Sequence, residues 1–521
     1  MRQRPSRRAG LLVFVFIFLF TGGLVALAAL VPVGHGLRPK GGGWFVPAVV
    51  GGAFTKYPLL IAVPWAACFV AGLADWRRPW RAEHLDLFAL AGFFPVAMLL
   101  SDDAAAAGLW LAAACLGWLG TRMAGAGLGA WPLPELRPSV SSRRLGLAIV
   151  ILLVVRVASV PAGNVSDVGQ ASLLGAWRLL HGLSLYGAQT WQGPGGLSIY
   201  RPDSYGPFAY YAYIPFAATF PALPAVAGTL PPAVCFDALT LAGLYQVGQR
   251  LGGRPLARAF VFAYLLYPFP GLSLTAETND GLIAALCVWA IVVAERPATR
   301  GLLVAAATLT KFVPALLAVQ FLGVRPGRWR YLLTLVLGLA AMLAWPLMRS
   351  GPAAFLDSTL RYQLVQRGSG VQFSIWTYLP HVATVARSVL AAGLVLLALS
   401  SRLRAARLQA PRPGPRKEAA LAAALLMGGQ LLLGYWFYSY LTWCYPLLIV
   451  AMIRSRPDRR PGTSLSGCEP VSDYGRMPRV GHVADRGQPV GIAAGDPLVL
   501  AQVLRPGGGP VSGGVSGRAS P

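Results

Sequence analysis

Residues 331–348 read YLLTLVLGLAAMLAWPLM, with Arg330 before them and Arg349 after them. An apolar run of about 20 residues can cross the lipid core as a helix, which satisfies its own backbone groups. Such runs recur from Leu11 to Ile453, and 55% of the chain is apolar while only 12% is charged. Because a soluble domain carries about twice that charged fraction, the sequence predicts an all-α polytopic transmembrane helix bundle.

Basic residues between the apolar runs indicate how the helices are oriented. Loops rich in Arg and Lys remain in the cytoplasm, whereas those around Asp102, Thr275 and Tyr438 contain neither residue. The latter loops are therefore expected outside. The net charge of +26 is divided among short groups, and without one basic patch no nucleic-acid partner is expected.

The spans that fit this sorting of charge are about 11–33, 45–71, 86–100, 104–120, 145–162, 231–249, 256–272, 280–295, 329–348, 380–400, 418–434 and 437–453. The stretch 301–324 begins and ends beside basic groups, so it is expected to enter and return with Lys311 near its outer turn. The prediction is therefore 12–14 spans with both termini in the cytoplasm. Residues 1–144 form a four-span extension, 145–453 the main membrane domain, and 454–521 a disordered cytoplasmic tail.

Residues 163–230 form an outer loop that is too long for a simple connector. The loop is polar but rich in Trp and Tyr, which prefer the boundary between membrane and water. Amphipathic helices lying on the outer surface are expected there. A second outer loop is expected from Arg349 to about Tyr378.

Ionisable residues at membrane depth or on the outer side are candidates for function, because burying a charge in lipid is costly. Asp167 follows the fifth span, and its residue type suits a general base as well as a helix cap. Lys311 suits a phosphate, although a lysine can also extend its amine to the membrane surface. Arg361 and Arg367 suit a phosphodiester, although each alone is more readily explained as surface charge. The cysteines and histidines show no metal-binding spacing.

Several short motifs occur in a defined order along the main membrane domain. They are Asp167 after a span, Gly182-Leu-Ser-Leu-Tyr186, Tyr205-Gly-Pro207 leading to Tyr213-Ile-Pro215, Asn279-Asp280-Gly281, Leu309-Thr-Lys311-Phe-Val-Pro314, and Arg361-Tyr362 through Arg367 to Ser374-Ile-Trp376. In order and spacing the chain resembles the GT-C membrane glycosyltransferases over residues 145–453. It is most similar to their polyprenyl-phosphate-mannose-dependent branch.

This resemblance implies an inverting glycosyltransferase that moves a sugar, expected to be mannose, from a polyprenyl-phosphate donor to a lipid or glycan acceptor. The reaction would take place on the outer face of a bacterial plasma membrane. By the same resemblance, Asp167 is the catalytic base. The implied donor-phosphate ligands are Lys311, Arg361, Arg367 and Arg201. The implied sugar or acceptor pocket contains Glu277, Asp280, Tyr205 and Asp203. No cofactor is expected, and a divalent metal is possible but not favoured.

The chain departs from the family pattern at its N-terminal end. Four predicted spans precede the span that leads to Asp167, whereas in the family the corresponding aspartate follows the first span. Asp102 and Asp103 are the other outer acidic pair, but they lack nearby aromatic residues and cations. A transporter or lipid flippase is the alternative function, since it also uses buried charges and broken helices. The sequence shows no pair of matching halves, which disfavours that alternative. A non-catalytic scaffold in envelope assembly is the third possibility.

Overall fold

A computed structural model of the protein describes eleven stretches of the chain. They are residues 58–75, 81, 83–101, 105–140, 142–159, 165–193, 198–219, 228–322, 327–365, 374–407 and 414–454. The described part is helical apart from one short hairpin, which confirms the predicted all-α class. The chain divides into two units at Asp458. The second unit and the predicted first span, 11–33, lie outside the described residues.

Five helices of the described part of the chain precede the predicted outer loop. They are α1 (Pro58–Leu73), α2 (Glu83–Ala91), α3 (Phe93–Ser101), α4 (Ala105–Gly127) and α5 (Ser142–Ser159). The predicted span 86–100 is therefore two short helices that meet at Gly92. Phe94 of α3 packs against Phe269, which lies beyond the predicted domain boundary, with 5.8 Å between ring centroids. Helices from both sides of residue 144 thus share one apolar core, and the boundary itself stays a prediction.

The outer loop contains more kinds of structure than the sequence indicates. Its elements are α6 (Asp167–Leu180), the strands β1 (Thr190–Gln192) and β2 (Ser198–Tyr200), and the short helices α7 (Phe208–Tyr211) and α8 (Ile214–Thr219). The two strands pair antiparallel, with Trp191 opposite Ile199. Both of these side chains point into a small apolar cluster under the loop, so alternate residues of the hairpin are buried as strand geometry requires.

The central helices are joined by turns that contain charged residues. They are α9 (Leu230–Leu266), α10 (Pro268–Thr275), α11 (Asp280–Val292), α12 (Pro297–Thr308), α13 (Ala315–Phe321) and α14 (Arg328–Ser350). Helix α9 is kinked at Gly252 and Gly253, which is where the sequence predicts a basic turn between two spans. Residues 309–314 separate α12 from α13, so the predicted outer turn at Lys311 is a real break in the helix.

The C-terminal part encloses the centre of the bundle. Its elements are α15 (Pro352–Leu356), a π-helical turn (Asp357–Arg361), α16 (Tyr362–Val365), a 3-10 turn (Ile375–Thr377), α17 (Pro380–Arg407), α18 (Pro415–Leu432), a second 3-10 turn (Tyr438–Tyr440) and α19 (Leu441–Met452). Helix α18 is buried on all sides from Glu418 to Gln430. At its start, Glu418 accepts a hydrogen bond from Arg300 at 2.7 Å, so this buried charge is neutralised.

Three described helices are long and apolar enough to cross a membrane, namely α9, α14 and residues 380–400 of α17. Helix α17 leaves Val385 and Val389 about two-thirds exposed, and α14 leaves Leu333 and Val336 more than half exposed. Apolar faces left open in this way are expected where a helix meets lipid. The predicted total of 12–14 spans stays a prediction.

Candidate active site

A polar cavity of about 230 Å³ lies where the outer loop meets the ends of the central helices. Its wall includes one carboxylate from the outer loop and one from the start of α11. The lining residues are Asp167, Val168, Tyr200, Arg201, Ser204, Tyr205, Leu272, Ala276, Thr278, Asp280, Tyr362, Gln363, Tyr435, Phe437, Tyr438, Ser439 and Tyr440. Loops and helix ends supply most of this wall, so polar side chains and backbone groups can face a ligand.

Asp167 is the first residue of α6, and its neighbour supplies the helix cap. Ser166 Oγ accepts a hydrogen bond from the backbone N–H of Gly169 at 3.2 Å. The Asp167 carboxylate therefore need not act as the cap and is available at the cavity wall. Its position at a helix N-terminus places the negative charge where the helix dipole stabilises it.

The start of α6 is fixed by the backbone just before α11. The Ser166 N–H donates to the Ala276 carbonyl at 2.9 Å. A Cβ atom at Gly169 would lie only 2.1 Å from the Glu277 carbonyl oxygen, so glycine alone permits this approach. Glu277 itself has a φ of 53°, an uncommon value for a residue with a side chain. The close fit holds Asp167 at the cavity wall.

The enclosure of Asp167 affects its protonation. Its carboxylate is accessible, but the access is to a walled cavity and not to open solvent. Burial raises the pKa of Asp167, while backbone N–H groups and the positive charge of Lys311 partly offset the increase. A base with a raised pKa takes up a proton more readily than an ordinary aspartate once it is deprotonated, which suits general-base catalysis.

Lys311 lies in the turn between α12 and α13 and is buried. Its Nζ donates to Asp280 Oδ1, and Trp443 Nε1 donates to the same oxygen at 2.7 Å. The ammonium also faces aromatic rings, with 4.6 Å to the centroid of Tyr440, 4.9 Å to Trp443 and 5.7 Å to Tyr205. Aromatic faces stabilise a cation, so this environment keeps a positive charge away from bulk water.

The Tyr205-Gly206-Pro207 segment holds the lysine turn in place. Phe208 N–H donates to the Leu309 carbonyl at 2.9 Å. A Cβ atom at Gly206 would lie 2.2 Å from the same carbonyl oxygen, so a larger residue would displace one of the two segments. The outer loop and the turn with Lys311, which are far apart in sequence, therefore form one contact.

A second, larger cavity adjoins the first one. This apolar groove has a volume of about 690 Å³ and is formed by the lysine turn, α13, α17 and α18. Ser204, Tyr205, Gln363 and Tyr440 line both spaces. Lys311 lines the groove and its partner Asp280 lines the polar cavity, so their ion pair lies at the boundary. The two adjoining spaces together have the polarity that suits a molecule with a polar head and an apolar tail.

The other predicted site residues occupy several environments. Arg201 lines the cavity with a φ of 50°, and its guanidinium stacks on Tyr362 at 5.1 Å. Asp203 is fully buried and accepts a hydrogen bond from Ser358 Oγ at 2.6 Å, which places it outside the cavity wall. The Glu277 side chain is buried against Thr229.

Of the two arginines predicted on the second outer loop, the structure describes only Arg361, which lies away from the cavity. The Arg361 side chain is 76% exposed and pairs with Asp357 at 3.2 Å. Neither described pocket includes Arg361. Arg367, like the acidic pair Asp102 and Asp103, lies outside the described residues. The functional roles of all these residues stay predictions.

The aromatic segment before α19 is a part of the site that was not predicted. Residues 435–440 read YWFYSY, and Tyr435, Phe437, Tyr438 and Tyr440 line the polar cavity. The available signal was a dense aromatic run in a loop without Lys or Arg. A sugar ring presents a face of C–H groups that packs well on an aromatic ring, because both surfaces are apolar, so this wall suits a carbohydrate.

The fold and the site together define a helical protein with helices apolar enough to cross a membrane, and with a polar cavity that adjoins an apolar groove. Residues 204–433 match the family model of glycosyltransferase family 87, a family of the GT-C type. The matched segment covers less than half of the chain and begins after Asp167. Over this segment the chain is therefore similar to a family of GT-C-type glycosyltransferases, and the mannose-dependent branch stays a prediction.

One solved structure to which the chain shows similarity is ArnT from Cupriavidus metallidurans bound to undecaprenyl phosphate. The two chains are 15% identical, with a TM-score of 0.42 over 60% of this chain and 60% of that chain. Comparison with curated proteins finds no match to this chain.

Proposed function

We propose that this protein is a membrane glycosyltransferase that moves a sugar, with inversion, from a polyprenyl-phosphate donor to a hydroxyl of a lipid or glycan acceptor. The observation that carries the proposal is the junction of a polar cavity containing Asp167 with an apolar groove containing Lys311. A sugar linked through phosphate to an isoprenoid has the same division into polar and apolar parts. The family 87 match over residues 204–433 supports transfer of a sugar.

In the proposed reaction, the acceptor hydroxyl oxygen attacks the anomeric carbon of the donor sugar. Its proton moves to the Asp167 carboxylate, while the bond from the anomeric carbon to the phosphate oxygen breaks. The electron pair of that bond stays on the oxygen, so polyprenyl phosphate leaves with one more negative charge. Lys311, at the boundary of the two spaces, stabilises that charge.

Mannose remains the proposed sugar because it is the one that the resemblance implies. The polar, aromatic cavity accommodates a single sugar unit more readily than a long glycan, since its volume is about 230 Å³. The sorting of charge along the sequence supports a reaction on the outer face of a bacterial plasma membrane, with both termini in the cytoplasm. No metal is required in this scheme, because Lys311 supplies the positive charge.

The test uses the full-length protein purified and reconstituted into lipid vesicles. The vesicles are incubated with polyprenyl phosphates carrying one labelled sugar each, together with a membrane extract as the source of acceptor. Label is expected to move from the mannose-linked donor into a new product, and Asp167→Asn is expected to stop the transfer. Asp357→Asn is the matched control, since that carboxylate is exposed and lies outside both spaces.

Normal transfer by the Asp167→Asn variant would contradict the assignment of the base. Movement of the intact lipid across the vesicle membrane, with no transfer of label from any donor, would instead support a transporter or flippase. Transfer from a donor other than the mannose-linked one would correct the sugar and leave the mechanism in place.

A further inference from the structure

Arg387 lies in the wall of the apolar groove, on helix α17. Its Nε donates to the Leu432 carbonyl of α18 at 2.9 Å, which fixes the base of the guanidinium against the neighbouring helix. This is its only hydrogen bond to the described residues. The side chain is half-buried, so part of the guanidinium faces the space between the helices.

Other buried arginines in the described part of the chain have carboxylate partners. Arg156 pairs with Asp237 at 3.1 Å, and Arg300 pairs with Glu418 at 2.7 Å. No described carboxylate lies within ion-pair distance of Arg387. A charge in an apolar wall is costly unless an anion balances it, so the position of Arg387 is explained if the ligand in the groove supplies the anion.

The face of α17 toward the groove changes character along its length. Its lining residues are Thr384, Arg387, Ser388, Ala391 and Val395. Their spacing of three or four residues places them on one side of the helix. The polar residues come first, close to the outer end in the predicted topology, and the apolar ones follow. The opposite wall has the same division, with Lys311 followed by Phe312, Val313 and Leu316. A lipid phosphate would therefore place its head near Arg387 and its tail farther along.

We infer that Arg387 binds the phosphate of the lipid-linked donor from the α17 side of the groove, together with Lys311 from the turn between α12 and α13. This assignment rests on the proposed function. A guanidinium can form two parallel hydrogen bonds to phosphate oxygens, whereas an ammonium acts as a point charge. Arg387 would therefore orient the phosphate through hydrogen bonds, while Lys311 would supply a localised positive charge.

A second cation has a specific use in this reaction. The donor phosphodiester carries one negative charge, and the polyprenyl phosphate left after transfer carries close to two near neutral pH. Arg387 is therefore a ligand whose interaction strengthens as the bond from sugar to phosphate breaks. Binding of this kind lowers the barrier, because it favours the transition state over the bound donor.

An anionic phospholipid offers the same chemistry, a phosphate on an apolar tail, so the test must separate the two sources. Purified full-length protein in neutral detergent is titrated with polyprenyl phosphate, with phosphatidylglycerol and with inorganic phosphate. The variants are Arg387→Gln and Arg387→Lys. Arg349→Gln is the matched control, because Arg349 also donates its Nε to a backbone carbonyl, that of Gly182 at 3.1 Å, but lines neither space.

The wild type and the control are expected to bind polyprenyl phosphate equally well. Arg387→Gln is expected to weaken binding about tenfold or more, and Arg387→Lys to restore part of it. Lysine keeps the charge but cannot reproduce the bond to Leu432, so partial recovery separates phosphate binding from a purely structural role. Thermal unfolding of each variant identifies a folding defect.

Equal affinity of Arg387→Gln and the wild type for polyprenyl phosphate would overturn the assignment of Arg387, and the proposed function would remain. If phosphatidylglycerol binds as tightly as polyprenyl phosphate, the inference that the ligand of Arg387 is the lipid-linked donor would be overturned. If the wild type itself binds no polyprenyl phosphate, the proposed function fails as well, and the two failures are thereby distinguished.

Discussion

The polar cavity and the apolar groove are adjacent, yet different parts of the chain build them. Loops and helix ends line the cavity, whereas the sides of α13, α17 and α18 line most of the groove. Backbone groups at helix ends are free to bind polar ligands, while the sides of helices present only side chains. In the proposed function, chemistry and lipid recognition are therefore located on separate elements, which can be altered one at a time.

The boundary between the two spaces belongs to both of them. Asp280 faces the cavity, Lys311 faces the groove, and their ion pair connects the two. Changes on the cavity side are therefore expected to alter turnover, and changes on the groove side to alter donor binding. A change at the boundary should alter both.

The largest effect is expected from Lys311→Met, which removes the cation at the boundary. Loss of one group that stabilises a developing charge lowers the rate by about a hundredfold to a thousandfold. Both the turnover number and the donor KM are expected to worsen. They are measured with the labelled donor in reconstituted vesicles, and Lys311→Arg, which keeps the charge, should retain more activity.

The same lysine allows stability to be separated from catalysis. Removing one partner of a buried ion pair costs about 3–5 kcal/mol, because the other charge is left unpaired. Lys311→Met and Asp280→Asn alone are therefore expected to lower the unfolding temperature. The double variant is expected to recover stability but not activity. If the double variant regains transfer, Lys311 has a structural role only.

A smaller effect, confined to donor binding, is expected from Ala391→Trp. The indole would fill part of the groove next to α17, so the donor KM should rise roughly tenfold, equivalent to about 1.4 kcal/mol. The turnover number at saturating donor should change little, because Asp167 is on the other side of the boundary. An equal loss in both parameters would show that the groove is not a separate binding region.

The sequence predicted the parts of the site that depend on local pattern. Asp167 begins α6, Asp280 begins α11, and Lys311 lies in the break between α12 and α13. All three are at positions where polar residues end apolar runs. These features follow from the cost of burying charge in lipid. The all-α class follows from the same cost applied to the backbone.

The missed features depend on how helices pack. Trp443 and Asp280 bond across 163 positions of sequence, and hydropathy does not specify which helix ends will meet. Arg387 was not predicted as a site residue, because only the packing of α17 on α13 and α18 creates the groove. The β1–β2 hairpin was missed because its strands are three residues long.

A modest loss of activity is expected from Gly206→Ala. The new methyl group would collide with the Leu309 carbonyl, and the turn with Lys311 would have to move by roughly an ångström to restore ordinary van der Waals contact. Activity in vesicles should fall severalfold, without loss of folded protein. Gly146→Ala is the control, since nothing lies within 4 Å of a Cβ atom there.

The dependence of activity on pH should report Asp167. The base acts only when deprotonated, and burial raises its pKa above the ordinary value. Turnover should therefore fall with decreasing pH at a higher pH than an exposed aspartate would give, which is about 3.9. The turnover number is measured across the acid range. A profile that stays flat to about pH 4 would contradict a raised pKa for the base.

The smallest effect is expected from removal of metal ions. Because Lys311 is assigned to stabilise the leaving phosphate, incubation with EDTA should leave transfer unchanged. Transfer is measured before and after chelation, and again after Mg²⁺ or Mn²⁺ is added. A loss that either ion restores would show that a metal shares this role.

The separation of cavity and groove is tested most directly by measuring how well Asp167→Asn binds polyprenyl phosphate while its transfer rate is measured in parallel. The account predicts unchanged binding together with a rate reduced by about a hundredfold or more, the usual contribution of a general base. Transfer at the wild-type rate would contradict the role of Asp167. Loss of lipid binding in a folded variant would contradict the division of the site into two parts.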